Sequence, residues 1–260
     1  MDYGICALSH VPVRNDPSDK SELITELLFG ECYTILNREG NWLRVQNAAD
    51  SYEGWIDFKQ NFPVSANYFS EWQKQPHPRS LDMVGLVTDN ELGIPILIGS
   101  ILPFFDGNNI KLGHQSLIFN GRSGDVNSVA DARFLLNIAR TFLKAPYVWG
   151  GRTVFGLDCS GFVQQVYGIC NYQLPRDAWQ QVAHGEEVHF ASQTKPGDLA
   201  FFDNAEERIV HVGLMLEGNQ IIHAHGEVRI DTLDHQGIYN ANRQRYTHRL
   251  RIIKRIFPNL

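Results

Sequence analysis

The chain begins with short apolar runs separated by turn-forming residues: Val11-Pro12-Val13-Arg14, Leu27-Leu28-Phe29-Gly30-Glu31, Cys32-Tyr33-Thr34-Ile35-Leu36, Asn41-Trp42-Leu43-Arg44-Val45 and Gly54-Trp55-Ile56. In the fourth run Trp42 and Arg44 fall on one face and Leu43 and Val45 on the other, the period of a half-buried strand. Five such strands predict a small β-barrel over residues 1–64. Residues 65–80 show no clean periodicity and contain Pro76 and Pro78, which predicts a linker. A second β-rich stretch, 81–126, carries the run 94–103 and the turn Asp106-Gly107-Asn108-Asn109.

From residue 127 the period changes. Leu135, Ile138, Ala139 and Phe142 recur at i, i+3, i+4 and i+7 behind an expected N-cap at Ser128. That helix must end before Pro146. A second helix is expected from Cys159, with Phe162, Val163, Val166, Tyr167 and Cys170 on one stripe and Gln164 and Gln165 off it. After Pro196-Gly197 come three expected strands, 198–202, 209–216 and 220–225. Helices followed by an antiparallel sheet make an α+β domain over residues 127–260.

Length and charge narrow the possibilities. A chain of 260 residues suits two or three small domains, and 43% apolar with 20% charged residues excludes a mainly disordered chain. The net charge of −6 comes without a basic run, which argues against a nucleic-acid partner. The uncharged stretch from Leu92 to Phe105 is broken by Gly93, Pro95, Gly99, Ser100 and Pro103, too short and interrupted to span a bilayer. Met1-Asp2-Tyr3-Gly4-Ile5-Cys6 lacks the basic and apolar regions of a secretory signal, so the expectation is a cytoplasmic protein with no membrane partner. Cys6, Cys32, Cys159 and Cys170 contain no C-x-x-C pair, and within one helix Cys159 and Cys170 would lie about 16 Å apart, too far to bridge. Free thiols are expected.

The candidate chemistry starts at Cys159. It sits in the first turn of its helix behind Asp158, a natural N-cap, with Gly150, Gly151 and Gly156 leading in. Helix-terminal N–H groups and the dipole favour a thiolate there; the competing reading is a small buried apolar residue. A base must come from the later strands. Ile209, His211, Gly213 and Met215 share one face, and Gly213 leaves room for another group to approach. His223 and His225 share a face of the next strand, and the loop between the strands decides whether they reach His211. A two-residue Gly218-Asn219 turn would put His223 on the opposite face and sink the catalytic reading. A three-residue loop 216–218 would set His223 across from His211. A three-residue loop 217–219 would instead set His225 there, with His223 on the diagonal.

Several spaced segments occur in one order: Tyr147-Val148-Trp149-Gly150-Gly151, Leu157-Asp158-Cys159-Ser160-Gly161-Phe162-Val163, Leu174-Pro175-Arg176-Asp177, Pro196-Gly197-Asp198-Leu199-Ala200-Phe201-Phe202, His211-Val212-Gly213 and Ile222-His223-Ala224. Together they resemble the NlpC-type cysteine peptidases of bacterial cell-wall metabolism. Gly40-Asn41-Trp42-Leu43-Arg44-Val45 and Gly54-Trp55-Ile56 resemble the bacterial SH3-like domains that accompany such enzymes. The combination is most similar to the γ-D-glutamyl-L-diamino acid endopeptidases. The resemblance implies a papain-like catalytic domain preceded by two small SH3-like barrels, the second over 81–126. It implies Cys159 as nucleophile, His211 as base and His223 as the residue that orients His211. His225 stands where many relatives have a small residue, so it is the alternative orienter.

By the same resemblance, Tyr147 would support the oxyanion, and Asp158, Ser160, Trp149, Arg176, Tyr52 and Glu53 would bind substrate. Asp158 would face the ammonium of the substrate's L-alanine, or only cap the helix. Arg176 would bind the α-carboxylate of D-glutamate, or pair with Asp177 at the surface. Tyr52 and Glu53 would close over the ammonium end, or be ordinary barrel residues. The implied partner is a small murein peptide handled during wall recycling. Two further readings use the same residues: a module that binds wall peptides without cleaving them, and an amidase or acyltransferase on the same fold. No metal or cofactor is expected, since His184-Gly185-Glu186-Glu187-Val188-His189 is not His-Glu-x-x-His.

Overall fold

The computed structural model describes residues 1–89, 93–127 and 131–257. The expected cap Ser128 and the residue Leu92 lie outside the described residues. The chain forms two compact units, one of residues 1–128 with 149–154 and one of residues 129–148 with 155–260.

The first unit holds the expected strands and two more. β1 (Asp2–Ile5), β2 (His10–Arg14), β3 (Leu23–Leu28), β4 (Cys32–Glu39), β5 (Trp42–Asn47), β6 (Glu53–Asp57) and β7 (Phe62–Val64) form an antiparallel sheet in the order β3-β2-β6-β5-β4-β1-β7. Alternation places Val11, Val13, Leu27, Leu43, Val45 and Ile56 inside, around the buried ring of Tyr33. The expected linker is corrected: part of it is a helix, α1 (Ala66–Gln73). Ser65 Oγ caps it by accepting from the Tyr68 N–H at 3.1 Å, and Phe69 and Trp72, three residues apart, face inward. Two apolar residues in two turns are too few to register as a periodic stripe.

Strands β8 (Val84–Thr88), β9 (Gly93–Leu97), β10 (Asn109–Leu112) and β11 (Gln115–Phe119) form a four-stranded sheet ordered β10-β11-β8-β9. Val87, Ile96, Leu117 and Phe119 share one core with Phe69, Trp72, Ile5 and Phe29. Residues 149–154 belong to this unit through Arg152. Its buried guanidinium makes two 2.9 Å bonds to the Glu31 carboxylate and one of 2.6 Å to the Glu26 carbonyl. Burial acts to raise the Glu31 carboxyl, but the charge and bonds of Arg152 hold it below the usual range.

In the second unit α2 (Ala132–Thr141) is capped by Asp131, whose carboxylate accepts from the Arg133 N–H at 2.8 Å. It buries Leu135, Leu136, Ile138 and Ala139. α3 (Cys159–Ile169) is buried all round, which corrects the expected one-sided stripe. It packs against α2 and against the sheet, so Gln164 and Gln165 are enclosed; Gln164 Nε2 donates to the Leu174 carbonyl at 3.0 Å. After the short α4 (Ala178–Gln181) and β12 (Glu186–Glu187) come six strands: β13 (Leu199–Asp203), β14 (Ile209–Met215), β15 (Gln220–His225), β16 (Glu227–Leu233), β17 (Gly237–Asn240) and β18 (Arg245–Arg255). Each pairs antiparallel with the next, and β18 pairs with β13, so the six close into a ring. The fold is α+β, with a β-rich first unit followed by a second whose sheet has seven strands where the sequence pattern suggested three. Among the described residues no helix is long and apolar enough to cross a membrane.

Candidate active site

Cys159 opens α3, and Asp158 caps it by accepting from the Gly161 N–H at 2.7 Å. The second half of the site comes from the β14–β15 hairpin. Leu216 N–H donates to the Gln220 carbonyl at 2.8 Å, so the loop is Glu217-Gly218-Asn219, with Gly218 and Asn219 in the left-handed region. Leu214 then pairs with Ile222 and Met215 with Ile221. Continuing that register sets His223 across from Gly213 and on the diagonal from His211. A Cβ at position 213 would meet the His223 Cβ at 2.9 Å, so only glycine admits this approach.

His211 Nε2 and His223 Nδ1 are 2.8 Å apart, and both rings are buried. His225 meets His211 only ring edge to face, at 6.4 Å between centroids. The hydrogen bond therefore distinguishes His223 from His225. It leaves His211 Nδ1 as the ring atom that can take a thiol proton. Burial pushes His211 well below its ordinary value, and neighbouring His223, His248 and His225 add to this.

The sequence suggests a thiolate at the helix terminus, but burial decides otherwise. Together with the Asp158 carboxylate it pushes the Cys159 thiol up to about 12, against the N–H groups of Val212 and Ser160 and the charge of Arg176. Both shifts favour a resting pair of neutral thiol and neutral imidazole, from which the proton moves as attack begins. Burial, and then Cys159 and Asp158, also raise the Tyr147 hydroxyl, which stays a donor.

Arg176 is buried rather than at the surface. Its Nη2 donates to Asp158 Oδ2 at 2.6 Å, and its Nη1 donates to Asp158 Oδ1 at 3.0 Å and to Ser160 Oγ at 2.9 Å. Asp177 accepts the Trp179 indole N–H at 3.2 Å. Tyr52, Glu53 and Trp149 lie in the first unit. There the Glu53 carboxylate accepts from Arg44 and Gln46 at 2.8 and 3.1 Å, and the Trp149 indole donates to Glu22 at 2.5 Å.

Comparison with known proteins bears on the same two regions. Residues 144–249 match the NlpC/P60 family, and residues 13–60 match the bacterial dipeptidyl-peptidase Sh3 domain. The chain carries an NlpC/P60 domain. It is similar to the γ-D-glutamyl-L-lysine dipeptidyl-peptidase of Bacillus subtilis, 29% identical over 222 residues, 77% of this chain and 71% of the relative. A Bacillus cereus protein of the same name is 24% identical over 235 residues, 80% of this chain and 68% of the relative. The fold matches an NlpC/P60 family protein from Bacillus cereus with a TM-score of 0.83 at 20% identity, covering 98% of this chain and all 100% of the other. With these relatives and this domain, the chain is a cysteine peptidase.

The NlpC/P60 unit contains more than the sequence motifs disclose. His248, from β18, stacks on His211, and Asp231, from β16, accepts from His223 Nε2 at 3.1 Å. Neither is near a recognisable motif, because both arrive from strands the sequence pattern did not reveal. One ring nitrogen each from His211, His223 and His248 lie within 4.8 Å of one another, a spacing a metal ion could exploit. Zinc–nitrogen bonds of about 2.0–2.1 Å would require His211 and His223 to exchange their mutual hydrogen bond for the ion. As the residues stand, His211 and His223 share a hydrogen bond, and His248 stacks on His211 while its Nδ1 meets the Thr247 hydroxyl at 2.9 Å.

Proposed function

We propose that the chain hydrolyses the γ-D-glutamyl-L-diamino acid bond of small murein peptides bearing a free L-alanine amino terminus, as part of wall recycling. The observation that carries this reading is Cys159 at the start of a buried helix, in one compact unit with a His211–His223 pair bonded at 2.8 Å. The names of the Bacillus relatives support the bond type. Four unpaired cysteines suit a reducing compartment, and the cytoplasm is part of the same proposal.

In this mechanism Cys159 Sγ attacks the γ-carbonyl of D-glutamate while its proton passes to His211 Nδ1. The backbone N–H of Cys159 and the Tyr147 hydroxyl meet the oxyanion. The intermediate then collapses: the C–N bond breaks, His211 returns the proton to the departing amine, and a thioester remains. Water, deprotonated by His211, hydrolyses the thioester and restores the thiol. Asp158 and Arg176 would receive the ammonium of L-alanine and the α-carboxylate of D-glutamate, opposite charges that extend an existing buried pair.

The test is hydrolysis of L-Ala-γ-D-Glu-L-Lys and its meso-diaminopimelate counterpart beside their N-acetylated forms, with wild type and Cys159→Ala. Cleavage of the free-amine peptides alone, absent in the variant, is expected. Equal cleavage of the acetylated forms would remove the ammonium requirement, and cleavage of a different bond would move the assignment to an amidase or acyltransferase.

A further inference from the structure

The hydrogen bonds around His223 run on past the histidine pair. His223 Nε2 lies 3.1 Å from Asp231 Oδ2, and both side chains are buried. The carboxylate is itself gripped from β16 and β17. Arg229 Nε and Nη2 donate to Oδ2 and Oδ1 at 2.7 and 2.9 Å, and Asn240 Nδ2 donates to Oδ2 at 3.4 Å. Burial acts to raise the Asp231 carboxyl, but the bonds from His223 and Arg229 hold it below the usual carboxylate range, so it is an acceptor only.

Building on Cys159 as nucleophile and His211 as base, we infer that Asp231 is a positioning residue that fixes the tautomers of both histidines and so bares His211 Nδ1 toward the thiol. The steps are forced by counting protons. Neutral His223 has one N–H, and an acceptor-only carboxylate claims it at Nε2. His223 Nδ1 is then a bare lone pair, and the 2.8 Å contact is a hydrogen bond only if His211 carries its own proton on Nε2. His211 Nδ1 is left unprotonated, the form a general base needs. When the thiol proton arrives there, the imidazolium still donates Nε2–H to His223, and the negative charge on Asp231 lies one ring away. No proton has to travel along the chain. In the opposite arrangement His223 would carry its proton on Nδ1 and His211 on Nδ1, and the base would be blocked.

The experiment combines ¹⁵N-histidine NMR with kinetics on the full chain. Wild type is expected to show His211 and His223 protonated on Nε2 at neutral pH. Asp231→Asn, nearly isosteric but able to donate, is expected to scramble those tautomers and lower kcat by about 10²–10⁴-fold, with KM changed by less than about twofold. Asp231→Glu keeps an acceptor-only group in a less fitting shape, and is expected to retain more kcat than Asp231→Asn. A purely structural role predicts the reverse order. A wild-type His211 protonated on Nδ1, or wild-type turnover in Asp231→Asn, would overturn the assignment. The wild-type NMR measurement stands even if a variant does not fold. Tautomers and iodoacetamide alkylation of Cys159 are both read without peptide. A protein that cleaves no wall peptide but shows the expected tautomers, with slowed alkylation in Asp231→Asn, would lose the substrate reading and keep this one.

Discussion

His248 stacks on His211 with ring centroids 4.1 Å apart and planes 19° from parallel. The stack covers one face of the base, and burial is the first cause of the downward shift of His211. A base held well below 6.5 remains neutral in mild acid. The acid limb of kcat/KM is therefore expected below the ordinary histidine range. His248→Ala should admit water and move that limb up toward 6.5, whereas His248→Phe should leave it in place. A limb at 6.5 in wild type would contradict this account of the stack.

The same ring links stability to pH. Burial pushes His248 down to about 3, with His223 and His225 adding to the shift. Its folded-state value lies below the unfolded one, so the unfolded chain takes up the proton first as pH falls. The contribution is complete above 6.5 and declines from there toward about 3. Urea midpoints should fall across that window, and less steeply in His248→Phe. Equal slopes in both proteins would show that His248 does not carry the dependence.

Trp72 tests the corrected linker. It is buried with Phe69 in a core that includes Ile5, Val87 and Phe119, and its indole nitrogen has no hydrogen-bond partner among the described residues. Trp72→Ala should destabilise the first unit by about 3–5 kcal/mol through the cavity it leaves. Trp72→Phe should recover much of that loss, because it keeps apolar volume and removes the unpaired N–H. A free linker would make both substitutions silent in a denaturant titration.

How much of this was legible in the sequence depends on distance along the chain. Cys159, Asp158 and the 3.6-residue pattern after them are local, and the helix begins where they place it. The partnership of His211 with His223 required an odd loop, and Gly213 beside His211 was the visible sign of a close approach. Asp231 and His248 had no such sign. β16 and β18 mix charged and apolar residues, and their faces follow from closure of the sheet rather than from strict alternation. The thiol's surroundings divide in the same way: the helix-terminal N–H groups that lower it can be read from a helix start, but the burial that raises it is set by strands distant in sequence. For Arg176 the motif offers a substrate carboxylate or a surface partner, and only the fold brings it to Asp158, 18 residues earlier.

That buried pair makes a double-mutant prediction. Arg176→Met strands the Asp158 carboxylate, and Asp158→Asn strands the guanidinium; each should cost about 3–5 kcal/mol of stability. The double variant should cost less than the sum, because neither charge is then left alone. Additive losses in urea denaturation would mean that the two side chains contribute independently of the 2.6 Å contact between them.

Alkylation can establish the resting state of the nucleophile before any substrate is added. A Cys–His ion pair formed at rest gives an iodoacetamide rate that is flat across neutral pH, because the thiolate is already present. Here burial and Asp158 push the thiol up to about 12, and His211 is pushed down, so the neutral pair dominates. The rate for Cys159 should be low at neutral pH and climb steadily into alkali, with no plateau between pH 5 and 8 on the scale where histidine normally titrates. Cys170, also pushed up to about 12 by burial, serves as the internal reference for a thiol with no histidine acting on it among the described residues. Cys159 should react faster than Cys170 at every pH if His211 accepts its proton, and His211→Ala should erase that difference. A neutral-pH plateau would instead mean that the ion pair exists at rest, and that the helix terminus outweighs burial after all.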